Sequence, residues 1–483
     1  MKLLRHLAGY LPVNIASGIA AFGGVYVFTR LLGPEEYGRY ALLFSVMTLV
    51  HLLSLTAAES AAFRFAGEAE AKNTQPDHFR TTLSLTFRSL MIAAVLMAAL
   101  SLIFLQMPNY LRILPWIALL IPINSIIQMA LESHRAGERV SRYALIASTQ
   151  ILGGFVFGAL IAWQTGFGAA SPFIGLVLSG LFWAISEARW LFLQARTGVT
   201  NPSRRKAYLL FGAPIAAALV LDLILSAADR FLIAAFLGEA AVGEYAAGYG
   251  VADKSVLLIC AWAAMAASPL VMAAYERGGA DAAAEESRGL IRTLLLLGVP
   301  AATGLALVAT PLSEALIGEA VREGARQIIP WIAFAGLLNG LIIHYYSEVF
   351  HLTHRTSELA VLMVVPAALN ILLNLVLIPQ FGLMGAVAAT LASYAIGVAV
   401  LVFRGRRLIA LPMPLADLMK VAIAALAMWP AIALVPAFGS WTELILKIAV
   451  GSLIYASIAF ALDAGGARGF VRDFRASKGH ASA

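Results

Sequence analysis

LGPEEYGRYA at Leu32–Ala41 returns as LGEAAVGEYA at Leu237–Ala246, about 205 residues further on, in one shared frame of L-G-x4-G-x-Y-A. A second echo follows inside each half: Ile113–Ala118 reads ILPWIA and Ile328–Ala333 reads IIPWIA, at an offset of about 215. Two separate matches at nearly one spacing indicate a duplicated unit. Both copies sit in strongly apolar sequence, so the unit is expected to be a bundle of membrane helices. Within the motif, Gly33/Gly38 and Gly238/Gly243 are expected to bracket a short outside turn that uses glycine's access to positive φ. Tyr40 and Tyr245 are expected at the membrane interface.

Composition agrees with the repeat. The 483 residues are 61% hydrophobic and 13% charged, where a soluble globular protein carries roughly 25% charged residues. Backbone groups in hydrocarbon must bond internally, which leaves helices or closed barrels. The apolar runs are about 20 residues long and do not alternate, so helices are expected. The single cysteine, Cys260, lies in an apolar run and excludes a disulfide or a cysteine metal cluster. The opening MKLLRH and the apolar stretch to Leu32 read as an uncleaved first span.

Apolar windows give about fourteen spans. Six lie near 11–32, 40–63, 84–106, 111–131, 143–164 and 172–193. Six more lie near 208–237, 245–274, 290–309, 328–350, 359–378 and 385–403. A final pair lies near 415–437 and 443–462. Pro430 and Pro436 predict a kinked or shortened thirteenth span. With the N-terminus in the cytoplasm, inside segments and their flanks hold about 26 of the 34 Lys and Arg. These include Arg135, Arg139, Arg142, Arg204, Arg205, Lys206, Arg404, Arg406, Arg407, Arg468, Arg472, Arg475 and Lys478. The loops near 165–171, 238–244, 379–384 and 438–442 hold none. Both termini are therefore expected inside, and the net charge of +7 needs no nucleic acid.

An all-α membrane protein of two six-helix lobes is expected. Residues 1–195 form an N-lobe and 207–403 a C-lobe, related by a parallel pseudo-two-fold repeat. Two further spans at 415–462 and a basic cytoplasmic tail at 463–483 follow. The Arg-rich connector Ala195–Lys206 joins the lobes. An even number of spans per repeat places the axis along the membrane normal, as in parallel-repeat transporters whose ligands bind between the halves.

Ionisable side chains inside a bilayer cost about 2.5–3.5 kcal/mol on insertion scales, so each needs a reason. Asp222, Ser226 and Asp229 share a stripe of span seven, with Arg230 beside it. Span eight carries Tyr245, Tyr249 and Asp253, with Lys254 adjacent. These groups either face a solvated cavity or pair across helices. Arg30 ends span one, and the default for such a residue is to snorkel to the headgroups. His51 and Glu59 lie in span two, with Glu59 too deep for the surface and Arg64 interfacial. Glu132 and Glu348 align at an offset of about 216 at equivalent helix ends. They are candidates for a cytoplasmic gate or, more plainly, for ion pairs with nearby arginines. Asn370 and Asn374 are expected to bond across helices. His6, His78 and His480 fall in expected tails or loops and need no special role.

No P-loop, HExxH or Ser/His/Asp set is present, so no enzymatic activity, cofactor or metal is expected. Transport without a nucleotide site draws on an ion gradient, the membrane potential or a substrate gradient.

FTRLLGPEEYGRYALLFSV at Phe28–Val46, ADRFLIAAFLGEAAVGEYAAGY at Ala228–Tyr249 and IPQFGLMGAVAATLASY at Ile378–Tyr394 carry a resemblance. In order and spacing they resemble the signatures of the bacterial polysaccharide exporters. That family comprises the O-antigen and exopolysaccharide repeat-unit flippases of the multidrug/oligosaccharidyl-lipid/polysaccharide exporter superfamily. The resemblance implies two six-helix lobes around a central cavity in the bacterial inner (cytoplasmic) membrane. It implies a substrate too: an undecaprenyl-diphosphate-linked oligosaccharide moved from the inner to the outer leaflet by alternating access. Its partners would be that substrate, membrane lipids and a polysaccharide polymerase, with no nucleic acid. By motif position, Arg30 and Arg230 match the family's basic residues on spans one and seven. A diphosphate needs cations in a low-dielectric cavity, and Arg can pair with it bidentately. The residues themselves add Lys254. Asp229, Asp253 and Glu59 are candidates for a coupling proton or sodium ion.

Three rivals differ from this expectation. A cation-coupled multidrug exporter on the same fold should present acidic groups without nearby cations, yet span one has no Asp or Glu before Arg30. A flippase for the peptidoglycan lipid precursor differs in the sugar carried. A membrane scaffold would gain by losing its intramembrane charges.

Overall fold

The computed structural model describes residues 2–469, and every element in them is helical. Arg472, Arg475, Lys478 and His480 lie outside the described residues. Twelve helices are long and apolar enough to cross a membrane, or thirteen when one bent pair counts as a span. Fourteen spans were expected. The stretch before Ala267 that contains Asp253 and Lys254 is the expected crossing absent from that set.

The chain divides into two compact units, Met1–Gly243 and Glu244–Ala483. The first holds α1 (Lys2–Leu31), α2 (Pro34–Ser54), α3 (Thr56–Arg64), α4 (Ala66–Ala71) and α5 (Gln75–Ile103). It continues with α6 (Pro108–Leu111), α7 (Leu114–Ala136), α8 (Val140–Gln164), α9 (Ser171–Ala195) and α10 (Pro202–Leu237). Helix α10 packs on α2 and α3 and so belongs to the first unit by its contacts, while the sequence repeat counts it with the second half.

Helix starts follow their sequence signals. Proline stands in the first turn of α2, α5, α6, α7, α9 and α10, where its missing N–H costs nothing. Asn201 caps α10, its side chain accepting from Ser203 N at 2.9 Å. Helices α2 and α3 form the bent span, turning by 56° at Leu55. No proline or glycine sits at this bend. The Ser54 hydroxyl donates instead to Val50 O at 2.5 Å, a local bond of the kind that bends helices.

Helices α8 and α9 pack closely. Gly154 and Gly158 form a GxxxG pair, and a methyl group on Gly175 would strike the backbone of both. Small residues let helices approach where the hydrophobic effect drives nothing between them. Buried Leu43, Ile117, Leu120, Ile127, Ile146 and Phe173 fill the core. Large apolar side chains also cover the outside, among them Val95 and Ile103 on α5 and Phe182 on α9, as befits a lipid-facing surface.

The second unit begins within α11 (Glu239–Leu307), which is divided at Gly279 by φ +69° and ψ −152°. Then come α12 (Ala309–Leu316) and α13 (Glu319–Leu341), a π-helical segment Ile342–Tyr346, and α14 (Glu348–Leu352). After α15 (Thr356–Phe381) and α16 (Leu383–Gly405) come α17 (Leu415–Leu426), α18 (Met428–Ala433) and α19 (Ser440–Ala461). The thirteenth span is thus broken at Ala427 and stops short of Pro436. Arg292 on α11 donates to Asp417 on α17 at 2.8 Å, and Tyr455 on α19 to Leu296 O at 2.6 Å. These bonds fasten the last helices to the rest of the unit.

Two expectations need correction. His78 is not in a loop: it is buried on α5, bonded to Tyr208 Oη at 2.7 Å and to Ala62 O at 3.1 Å. Tyr245 is not an interfacial aromatic but fully buried, and Tyr40 sits in a cluster with Phe28, Tyr37, Phe44 and Phe173.

Candidate functional site

The duplicated motif is where functional side chains begin to converge. Of its glycines only Gly238 uses a positive φ, +88°, while Gly33 has φ −66°. Gly38 and Gly243 are needed for another reason. A methyl group on Gly38 would strike Glu239 O, and one on Gly243 would strike Pro34 O. The two copies of the motif therefore press backbone to backbone, each glycine admitting the other copy.

Beside this contact lies an ion network around buried Arg39 that sequence reasoning missed. Arg39, 5% exposed, pairs with Glu36 and donates to Glu239 Oε2 at 2.5 Å. Tyr110 Oη donates to Glu239 Oε1 at 2.5 Å, and Ala169 N donates to Glu36 Oε2 at 2.7 Å. Arg39 and Glu36 stand near the N-terminus of α2, where charged residues ordinarily read as solvated.

Arg230 is half-buried on α10 and donates to Ser45 Oγ on α2 at 3.1 Å. It lies close enough to Tyr37 and Tyr40 for its charge to act on both. Its neighbour Asp229 is fully buried, while Asp222 on the same stripe is exposed. Arg30 is exposed: its guanidinium donates to Tyr26 O at 2.8 Å and covers the Tyr26 ring at 3.9 Å. In the second unit Asp253 is buried against Gly336, and Lys254 is exposed. Near Asp253 on the same helix, Tyr245 and Tyr249 reach Thr390 and Tyr394 on α16 at 3.5 and 3.4 Å.

Glu59 and Glu132, expected in separate roles, line one cavity of about 390 Å³ within the first unit. His51 Nε2 lies 3.0 Å from Glu59 Oε2. The other oxygen, Glu59 Oε1, is buried and has no hydrogen-bond partner. Glu132 pairs with Arg135 at 3.5 Å. Its repeat-mate Glu348 opens α14, one residue beyond the π-helical segment, and is half-buried. Asn370 and Asn374 do not bond across helices: Asn374 Nδ2 donates to Asn370 Oδ1 at 3.0 Å along α15.

A second missed cluster is built around fully buried Glu187. His134 Nε2 lies 2.9 Å from Glu187 Oε2, and Arg142 donates to Oε1 at 2.5 Å. It joins α7, α8 and α9, and reads as a structural tie. Among the described residues no group of three His, Cys, Asp or Glu side chains could hold a metal ion.

These features can be set beside known proteins. No curated protein matches by sequence. Among solved structures, the lipid II flippase MurJ in an inward closed conformation superposes with a TM-score of 0.73 at 16% identity, covering 93% of this chain and 98% of its own. An inward-facing multidrug resistance MATE family transporter of the MOP superfamily gives 0.62 at 16% identity, over 82% of this chain and 94% of its own. An outward-facing one gives 0.54 at 14%, over 83% and 93%. At such identities the likeness is one of fold. The model of the polysaccharide biosynthesis protein family matches residues 27–325, a stretch that contains both copies of the motif, Arg39, Glu59, Arg230 and Asp253. With more than half its length inside that match, the chain belongs to the polysaccharide biosynthesis protein family and carries it on the membrane-transporter fold of MurJ and the MATE proteins.

Proposed function

We propose that the protein is a flippase that carries undecaprenyl-diphosphate-linked oligosaccharide repeat units from the inner to the outer leaflet of the bacterial cytoplasmic membrane, by alternating access, for surface polysaccharide synthesis. The observation that carries the reading is Arg230. It is a guanidinium on a membrane helix, oriented by the Ser45 hydroxyl at 3.1 Å, inside the stretch that matches a polysaccharide biosynthesis family. A guanidinium can pair bidentately with an anion, and a diphosphate is the anion such a pathway supplies. Arg30, by swinging from the Tyr26 ring, and Lys254 are proposed as further substrate-binding residues.

Coupling is proposed to run through Glu59, whose half-buried carboxylate touches His51 and can exchange a proton with it, with buried Asp229 and Asp253 as further acceptors. Glu132 and Glu348 are proposed as cytoplasmic gate residues. Both termini are proposed to be cytoplasmic, and a polysaccharide polymerase is the proposed downstream partner. Residues 1–195, 207–403 and 415–462 remain the proposed functional partition, since the repeat rather than the packing defines it.

Arg230→Ala is expected to lower surface polymer at least a hundredfold while the protein remains inserted at wild-type level. Wild-type polymer in that variant would remove Arg230 from the mechanism, and export of an organic cation that depends on Arg230 would transfer the protein to the drug-exporter reading.

A further inference from the structure

The cavity that holds Glu59 and Glu132 has a chemistry unlike that of an anion site. Two carboxylates, Glu59 and Glu132, are matched by two guanidinium groups, Arg64 and Arg135, so its formal charge is balanced. A diphosphate would call for a cationic lining, and an organic cation for an acidic one. What remains is a fringe of donors and acceptors: the hydroxyls of Thr56 and Ser60, the Gln128 amide and the unpartnered Glu59 Oε1. The rings of Phe63 and Phe211 stand among them. Phe211 is braced edge-to-face by Phe65 at 5.6 Å, and Arg135 covers Phe63 at 4.3 Å. At about 390 Å³ the cavity falls within the roughly 300–1,000 Å³ usual for small-ligand sites.

We infer that this cavity is a sugar-binding subsite that reads the glycan of the lipid-linked substrate. A neutral sugar presents a ring of hydroxyls, which suit carboxylates, amides and guanidinium groups, and an apolar C–H face, which suits Phe211. A buried acceptor such as Glu59 Oε1 gains a partner from a hydroxyl, and an unmade bond there penalises any ligand that lacks one. The inference rests on the flippase reading and adds to it. Headgroup charge is handled at Arg230, while glycan identity is handled here.

The test uses the purified full-length protein and two probes: undecaprenyl diphosphate bearing one N-acetylhexosamine, and the same lipid bearing a neutral trisaccharide. Wild type is expected to bind the trisaccharide lipid about tenfold more tightly. Phe211→Ala, Gln128→Ala and the milder Ser60→Ala are each expected to reduce that ratio about threefold to tenfold. Binding of the monosaccharide lipid should fall by less than that of the trisaccharide lipid, and the melting temperature of Ser60→Ala should stay at the wild-type value. A ratio that is absent in wild type, or unmoved by all three variants, overturns the subsite. So does an equal loss for both lipids, or tetraphenylphosphonium bound in competition at these residues. Arg230→Ala in the same assay separates the two readings: if it leaves both lipids bound as in wild type, the flippase reading fails instead.

Discussion

Two arginines stand at the first motif copy, Arg30 just before it and Arg39 within it, and they behave in opposite ways. Arg30 lies exposed along its own helix, against Tyr26, whereas Arg39 is buried between Glu36 and Glu239. A planar fork holds two carboxylates in fixed directions, which a lysine's ammonium on a flexible stem does less well. Arg39→Ala would leave Glu36 and Glu239 facing each other without their cation. Breaking a buried pair in this way costs about 3–5 kcal/mol, and the exposed edge of Glu36 moves the expectation to the lower end. The expected outcome is a melting temperature in detergent several degrees below wild type, with Arg39→Lys between the two. Equal stability of the three proteins would remove the network from the account of folding. At the same scale, Glu59→Gln keeps the shape of the His51 contact but cannot take up a proton. Transport in that variant is expected to lose its dependence on an imposed pH gradient, and an unaltered gradient response would exclude Glu59 from coupling.

Helices α8 and α9 depend on what their sequence omits. Gly154, Gly158 and Gly175 bring two backbones together, so Gly175→Leu must part them. Overpacking of this kind typically costs about 1–3 kcal/mol, and the expected readout is a lower melting temperature with reduced membrane accumulation. An unchanged melting temperature would show that the helices separate freely. Elements also mark the limit of what sequence can reveal. Apolar runs predicted nearly every crossing, because lipid imposes length and hydrophobicity directly. The bend at Leu55 was not legible, since it has no proline or glycine and coincides only with a serine bonding to its own helix. Glu187 was passed over because its partners His134 and Arg142 are distant in sequence and only packing joins them. Burial explains the remaining misses: helical spacing reports which residues share a stripe, but not whether the stripe meets lipid, protein or a cavity. Hence Tyr245 read as interfacial and proved fully buried.

For the molecule as a whole, charge asymmetry leads to a topological expectation. With Cys260 replaced by serine, a cysteine at Thr165 should react with an impermeant maleimide on intact cells. One at Ser203, beside Arg204 and Arg205, should react only after permeabilisation. The reverse pattern would invert the protein and with it the direction of transport.

The contact between Gly38 and Gly243 has an evolutionary consequence. After a duplication, each copy is normally free to drift, because the other still performs the original task. Here the descendants have become one another's bearing surface, since neither position can accept even a methyl group without striking the sister backbone. Divergence between the halves is therefore barred at the very spot where their common ancestry is still readable.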